Sequence, residues 1–205
     1  MSVTRRRLPA HERRASLLAA ATEVFAAEGY EGASIRQIAE AAGITIPILY
    51  DHFPSKKGLH IELLERETGA LIEAVSSARG ECPETLMRQS IDAFFAHVEG
   101  HPFAWRMLFR EPPADPDIAQ AHASAMGRAR AAISALFALT PRWQTSSDLR
   151  RDLQLELLAE GTKSAINGLA AWWWEHREVP RDQVVECAMD LLFRGIERLG
   201  TRAVP

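Results

Sequence analysis

Apolar residues recur every three or four positions along almost the whole chain, a spacing that places them on one face of an α-helix. The first such stretch carries Leu17, Ala21, Val24 and Phe25. No segment alternates apolar and polar residues with the β-branched enrichment that is typical of strands. The pattern therefore predicts an all-α fold.

Glycine, proline and small capping residues mark the ends of the predicted helices. Gly29 and Gly43 follow the first two apolar stretches, where glycine readily takes the left-handed conformation of a helix C-terminus. Ser34 and Thr45 precede the next two stretches as N-caps, and Pro47 falls in a first helical turn, where its missing N–H is tolerated. These signals predict about nine helices, over residues 10–28, 35–42, 46–53, 56–78, 84–99, 103–110, 117–138, 148–176 and 181–199.

Composition narrows the class of protein without defining a function. The chain has 205 residues, of which 47% are hydrophobic and 25% are charged, as in ordinary globular proteins. Its two cysteines, Cys82 and Cys187, are too few for a disulfide framework, which favours a reducing compartment. No apolar run reaches the roughly 18–20 residues that span a bilayer, and the basic start lacks a signal core. We expect a cytoplasmic protein without a membrane partner.

The net charge of −3 is unevenly distributed. Residues 1–60 carry a net charge of +2, whereas residues 61–205 carry −5. This asymmetry indicates that the two parts of the chain have different partners, the basic part being the better candidate for contact with nucleic acid. The run of three arginines at residues 5–7 has two interpretations, an arm that binds phosphate or a minor groove, or a solubilising tail.

Residues 34–53 read SIRQIAEAAGITIPILYDHF, which predicts two short helices joined by a tight turn at Gly43. Ala39 is small enough to let the two helices cross closely. Four apolar residues have the spacing needed to hold both helices against the first one: Ile38, Ile44, Leu49 and Phe53. This is the helix-turn-helix arrangement, whose second helix enters the major groove of DNA.

Further features make the likeness specific: Gly29, the YDHF box at residues 50–53 and the SKKGL segment at residues 55–59. Together with the helix-turn-helix they resemble the N-terminal pattern of the TetR family of bacterial transcriptional regulators. The resemblance covers residues 16–64. It implies a helix-turn-helix DNA-binding domain over residues 1–55 and a helical ligand-binding and dimerisation domain over residues 56–205. The later helices are similar to the family's in order and length, but no residue motif supports that half.

The resemblance also implies roles for individual residues. Thr45 and Tyr50 match the hydroxyl residue and the tyrosine that contact phosphates in the family, and His52 matches the histidine of the same box. Lys56 matches the lysine that opens the fourth helix against the DNA backbone. Lys57 stands where the family often has an acid, and two cations in a first helical turn oppose the helix dipole. We therefore expect Lys57 to face phosphate as well.

Ile46, Pro47, Ile48 and Asp51 should form the exposed face of the second short helix, which carries no Arg, Lys, Asn or Gln. This face lacks the bidentate contacts that identify guanine or adenine. Its apolar side chains can meet thymine methyl groups instead, and Arg36 on the preceding helix is the best remaining hydrogen-bonding reader. We expect operator half-sites that depend on thymine methyls and on DNA shape.

A homodimer is expected on two grounds. One short recognition helix reads only a few base pairs, whereas two helices about 34 Å apart read a palindrome. The family also pairs its last two helices with those of a partner, and three consecutive tryptophans cover about 200° of a helix, more than a single chain buries. The expected interface residues are Trp172, Trp173, Val184, Ala188, Leu191 and Leu192. The alternative is that the tryptophans belong to the core of one chain.

Aromatic residues and methionines are concentrated in the middle helices, beyond what a small helical core needs. The resemblance implies a ligand cavity there, and we expect an apolar or amphipathic effector. The expected lining residues are Phe94, His97, Trp105, Phe109, Met126, Lys163 and Asn167. Core packing is the alternative for any single one of them.

Other functional classes have little support in the sequence. His97 and His101 have a spacing seen in metal sites, but Gly100 and Pro102 end the helix there, so we expect neither a metal nor a cofactor. No phosphate loop, serine elbow or carboxylate pair indicates an enzyme. The predicted function is a repressor that binds a palindromic DNA operator and is released by a small ligand. The alternatives are an activator, a regulator without an inducer, and an all-α enzyme or ligand carrier.

Overall fold

The computed structural model describes residues 10–109, 113–139 and 148–200, and within these ranges the chain forms nine α-helices and no strand. The helices are α1 (Ala10–Gly32), α2 (Ile35–Ala41), α3 (Ile46–His52), α4 (Lys56–Ser76), α5 (Pro83–Gly100), α6 (Pro102–Leu108), α7 (Pro116–Ala138), α8 (Arg151–Glu175) and α9 (Arg181–Gly200). The all-α prediction is confirmed, and each helix begins and ends within a few residues of its predicted bounds. None of the described helices is long and apolar enough to cross a lipid bilayer. The basic run at residues 5–7 lies outside the described residues.

The local sequence accounts for the turns around α2 and α3. Gly29 breaks α1 with a φ of 73°, after which one further turn runs to the end of the helix, and Gly43 has a φ of 65°. Ser34 begins α2 with a capping box: its Oγ accepts the Gln37 N–H at 3.2 Å, while Gln37 Oε1 accepts the Ser34 N–H at 2.9 Å. The Oγ of Ser55 accepts the Gly58 N–H in the first turn of α4 at 2.9 Å and so caps that helix.

The chain divides into two compact units, the first formed by the residues up to Glu67 together with Phe103–His122. In this first unit α1 packs on α2, and α2 packs on α3. The fully buried side chains include Leu17, Phe25, Ile38, Leu49, Phe53, Leu59 and Leu63. Because these side chains come from α1 to α4, the buried side of α3 is held by its neighbours on a common core.

The second unit comprises Thr68–Pro102 and the residues from Ala123 onward. Here α5 packs on both α8 and α9, and α8 packs on α9. Phe95 of α5 meets the Trp173 ring of α8 edge to face, with the ring centroids 5.7 Å apart. Arg181 at the start of α9 reaches back to α5, to Asp92 at 3.1 Å and Glu99 at 2.7 Å. The aromatic contact thus joins α5 to α8, and the ion pairs join α5 to α9.

Candidate nucleic-acid interface

One side of α3 is buried and the other is open to solvent. Leu49 at its centre is fully buried, and Ile48 and His52 are half-buried. The exposed residues are Thr45, Ile46, Pro47, Tyr50 and Asp51, of which Ile46 is 39% exposed and Tyr50 48% exposed. We call these five residues the α3 face. They present hydroxyl, apolar and carboxylate groups on a short, well-anchored helix.

Thr45 lies at the N-cap position of α3, as predicted, but its hydroxyl makes no capping hydrogen bond within the described chain. Pro47, at the second helical position, has no N–H to donate, so one of the two usual partners of a capping side chain is missing. Thr45 therefore has the backbone conformation of an N-cap, but its side chain does not cap the helix. The exposed hydroxyl is free to bond to an outside acceptor such as a phosphate oxygen.

Lys56 has intramolecular partners that the sequence did not reveal. Its Nζ donates to the Tyr30 carbonyl oxygen at 2.7 Å and to the Ala33 carbonyl oxygen at 2.8 Å. The same ammonium group lies 4.4 Å from the centroid of the Tyr30 ring. Lys56 therefore joins the start of α4 to the chain at and beyond the end of α1. A phosphate contact by Lys56 stays a prediction, and the structure adds this anchoring role.

Lys57 pairs with two carboxylates at the start of α7. Its Nζ contacts Asp117 and lies 3.5 Å from Asp115, and the hydrogen bond with Asp117 and these charges raise the pKa of Lys57. Sequence reasoning assigned Lys57 to phosphate because it saw two unfavourable cations in one helical turn. The compensating acid lies sixty residues along the chain, where helical periodicity gives no signal.

Arg36 lies on the exposed side of α2 and forms an i,i+4 ion pair with Glu40 at 2.9 Å. Both side chains are largely exposed, so the pair contributes little to stability. The guanidinium group remains within the solvent-facing surface of the helix-turn-helix. Its role as a reader of DNA stays a prediction.

A buried histidine lies beneath this surface. His60 of α4 is 5% exposed, and its ring centroid lies 4.6 Å from that of Phe25 and 5.1 Å from that of Tyr30. Its Nδ1 has no hydrogen-bond partner among the described residues. Burial, with smaller effects from His122 and Lys56, lowers the pKa of His60 to about 4. His60 is therefore a neutral core residue at physiological pH.

The chain matches two family models. One, described as bacterial regulatory proteins of the tetR family, matches residues 17–63. The other, described as a tetracyclin repressor-like C-terminal domain, matches residues 83–195. This chain belongs to the TetR family. Members of the TetR family are transcriptional regulators rather than enzymes; they bind DNA and typically act as dimers.

The chain is also similar to individual transcriptional regulators in sequence and in fold. The HTH-type transcriptional activator FasR of Mycolicibacterium smegmatis is 30% identical over 197 residues, which cover 94% of this chain and 87% of FasR. The HTH-type transcriptional repressor AcnR of Corynebacterium glutamicum is 34% identical over 76 residues, 37% of this chain and 40% of AcnR. A crystal structure of a TetR-like transcriptional regulator from Rhodococcus sp. RHA1 shares the fold, with a TM-score of 0.75, 24% identity, and coverage of 93% of this chain and 99% of that one.

The expected effector residues divide between the two units. Trp105 and Phe109 belong to the first unit, whereas Phe94, His97, Met126, Lys163 and Asn167 belong to the second. In the second unit Lys163 pairs with Glu160 at 2.9 Å, and Asn167 donates to the Lys163 carbonyl oxygen at 2.9 Å. The Nε2 of His97 is buried and has no hydrogen-bond partner in the described ranges. Burial, together with the nearby His101, lowers the pKa of His97.

The expected dimer surface is only partly accessible. Trp172 is 48% exposed and Leu191 is 61% exposed, and Leu192 is half-buried. The remaining expected residues, Trp173, Val184 and Ala188, are all at least 96% buried within their own chain. The structure corrects the prediction for these three because they lie in the packing among α5, α8 and α9. The exposure of Trp172 agrees with the expectation that at least one tryptophan of the run is uncovered.

The exposed side of α8 carries an apolar stripe that was not among the predicted interface residues. Leu153 is 39% exposed and Leu157 is 56% exposed. Gly161 and Gly168 are also exposed, and a Cβ added to either would meet no described atom outside the local helix backbone within 4 Å. With Trp172 these positions share one side of the helix. In the sequence, the only indication of this stripe was the spacing of four residues between Leu153 and Leu157.

Proposed function

We propose that this TetR-family protein binds a palindromic DNA operator as a homodimer, and that a small apolar or amphipathic effector changes its affinity for that operator. The supporting observation is the α3 face, which is exposed on a helix whose opposite side is buried. A single helix of this size fits the B-DNA major groove, which is about 12 Å wide. We assign DNA binding to residues 1–55 and effector binding and dimerisation to residues 56–205. A regulator of bacterial genes acts in the cytoplasm, where we place it.

We infer a dimer because one recognition helix contacts only a few base pairs. Two copies of α3 about 34 Å apart would read two half-sites of a palindrome. The exposed stripe of α8 and Leu191 of α9 supply an apolar surface on which a second copy would be seated. Trp172, Leu191 and Leu192 are retained from the predicted interface, and Leu153 and Leu157 are added to it.

The second unit supports an effector with an apolar body and one polar group. Phe94, Phe95 and Phe137 are buried there, so the interior of this unit is aromatic and suited to contact with an apolar body. His97 Nε2 is a buried polar atom without a partner in the described chain, an arrangement that costs about 1–3 kcal/mol. A polar group of the effector would supply that partner. An effector that binds one conformation of the protein more tightly than another would change the affinity of the protein for its operator.

Repression is the direction we propose, with the effector releasing the dimer from its operator. A dimer seated on DNA excludes other proteins from the same segment, and AcnR, which matches 37% of this chain, is named a repressor. Activation is the second candidate, because FasR matches almost the whole chain and is named an activator. A reporter driven by the operator-containing promoter distinguishes them: deletion of the regulator raises expression in the first case and lowers it in the second.

The DNA-binding site is tested by fluorescence anisotropy with the duplex that lies upstream of the protein's own gene. The double variant Thr45→Val, Tyr50→Phe removes two hydroxyl groups from the α3 face and should weaken binding at least about tenfold. The matched control is Ser76→Ala, which removes an exposed hydroxyl from the distant end of α4 and should leave affinity unchanged. Equal affinity of the double variant and the control would contradict the site. Absence of salt-dependent binding by the wild type to its operator region would contradict the proposed operator.

A further inference from the structure

Asp51 is an exposed acid on the α3 face with no internal explanation. It occupies the position before the last residue of α3, and within the described chain its carboxylate has no hydrogen bond or ion pair. Three cations of α2 and α4 have other partners: Arg36 pairs with Glu40, Lys56 donates to two backbone carbonyl oxygens and Lys57 pairs with acids at the start of α7. Asp51 therefore presents an uncompensated carboxylate on the proposed DNA surface.

This carboxylate is unfavourable both for the stability of α3 and for sequence-independent binding to DNA. A negative charge near the C-terminal end of a helix opposes the helix dipole, so Asp51 does not stabilise α3. A carboxylate close to the phosphate backbone is repelled by it, so Asp51 does not strengthen sequence-independent binding either. A favourable role requires a hydrogen-bond donor that DNA presents only at particular bases.

The major groove offers few donors that a carboxylate can use. Cytosine presents its 4-amino group there, and Asp and Glu side chains characteristically accept a hydrogen bond from it. The amino group of adenine lies beside the N7 acceptor of the same base, which would oppose a carboxylate. We infer that Asp51 accepts a hydrogen bond from the 4-amino group of one cytosine in each half-site and so makes that cytosine a requirement of the operator. This inference rests on the proposed function.

The position of Asp51 relative to Pro47 also predicts how far apart the two bases that they contact lie in the operator. Pro47 and Asp51 are four residues apart, so they lie on one side of α3 and are separated by about 6 Å along its axis. Successive base pairs rise by about 3.4 Å. If Pro47 meets a thymine methyl, the cytosine bonded to Asp51 lies about two base-pair steps away from that thymine.

The test uses the full-length protein and operator duplexes obtained by selection from a randomised pool. Each cytosine is replaced in turn by 2-pyrimidinone deoxynucleoside, which lacks the 4-amino group, and affinity is measured for the wild type and for Asp51→Ala. Replacement at one cytosine per half-site should weaken wild-type binding about tenfold and should leave Asp51→Ala binding unchanged. The control is Glu65→Ala, which removes an equal charge from an exposed position of α4 and should retain the wild-type sensitivity.

Different results would overturn the inference about Asp51 and the proposed operator binding on which it rests. If Asp51→Ala strengthens binding to every duplex equally and keeps the sensitivity to the missing amino group, Asp51 only repels phosphate and the inference is overturned. If wild-type binding is indifferent to the amino group at every cytosine, the inference is overturned while operator binding stands. If no duplex is selected at all, the proposed function fails and the inference fails with it.

Discussion

Replacement of Lys56 by methionine removes one ammonium group from the junction between α1 and α4. Methionine retains an unbranched apolar stem, so the change isolates the loss of charge and hydrogen bonding from the loss of packing. In the wild type this group donates to the carbonyl oxygens of Tyr30 and Ala33, at 2.7 and 2.8 Å, and lies over the Tyr30 ring. The variant leaves both carbonyl oxygens without this donor.

The size of the effect follows from these contacts. A hydrogen bond to a charged group contributes about 1.5–3 kcal/mol, and a cation–π contact about 0.5–1 kcal/mol. The contacts share one group and the site is part-buried, so their energies do not add fully and water satisfies some of the loss. We expect Lys56→Met to lower the free energy of unfolding by about 2–4 kcal/mol. For a chain of this length that is a fall in Tm of at least about 4 °C.

Far-UV circular dichroism during urea and thermal unfolding measures the loss. Protein concentration is held fixed because dimerisation would make apparent stability depend on it. Lys57→Met is the matched control: it removes the neighbouring cation, whose exposed ion pairs with α7 should matter much less. Equal unfolding midpoints for the two variants would refute the assignment of an anchoring role to Lys56.

The same pair of variants separates anchoring from phosphate contact. A lysine that neutralises a phosphate contributes about one unit to the slope of log affinity against log salt concentration, and its removal reduces that slope. A lysine that only supports the fold changes affinity without changing the slope. We expect Lys56→Met to lower both the affinity and the slope, because the predicted phosphate contact is lost together with the anchoring contacts. A lower affinity with an unchanged slope would contradict the phosphate contact.

Four further results are expected. Because burial lowers the folded-state pKa of His60 to about 4 from 6.5, stability is complete above pH 6.5 and falls as pH approaches 4, by up to about 3 kcal/mol; urea midpoints of His60→Leu should lack this loss. Cys82 should react with iodoacetamide faster than Cys187, because hydrogen bonds from the first turn of α5 lower the Cys82 pKa, and peptide mass spectrometry gives the two rates. Leu191→Asp should dissociate the dimer, as light scattering reports, whereas Trp173→Ala should lower stability by about 3–5 kcal/mol, as calorimetry reports. Uracil in place of thymine in the operator should weaken binding at one or more positions, as measured by anisotropy.

Each of these four expectations has a contradicting result. Parallel pH profiles for wild type and the His60 variant would reject burial as the cause of acid sensitivity. Equal alkylation rates would reject activation of the Cys82 thiol. A Leu191 variant that remains dimeric would remove that side chain from the interface, and indifference to uracil at every position would remove thymine methyls from recognition.

Much of the helix-turn-helix followed from short-range signals. The Ser34 cap and the positive φ of Gly43 involve only a few neighbouring residues, so their patterns are visible in the sequence. The burial of Ile38, Leu49 and Phe53 also follows from spacing, because a helix side that carries large apolar residues must be covered. The exposed α3 face is the complement of that buried side. The predicted exposure of Ile46, Pro47 and Asp51 is therefore confirmed, whereas Ile48, predicted for the same face, is half-buried.

Roles that depend on distant partners were less predictable. Lys56 and Lys57 are adjacent cations in sequence, yet one meets backbone carbonyls near the end of α1 and the other meets acids at the start of α7. The contact with Asp117 spans sixty residues, and no local pattern specifies such a pairing. Trp173 was assigned to a partner chain because the sequence shows three tryptophans but not which of them faces α5.

The sequence by itself determined the helices, their caps and the family, since these depend on local propensity, periodicity and a motif of contiguous residues. Only the tertiary structure decided which charges are already neutralised within the chain and which remain for DNA. Charge neutralisation depends on side chains meeting within about 4 Å, a distance set by the packing of helices far apart in sequence. On that basis the charge of Lys57 is paired with carboxylates and Lys56 donates to backbone carbonyl oxygens, whereas the exposed carboxylate of Asp51 has no partner in the described chain.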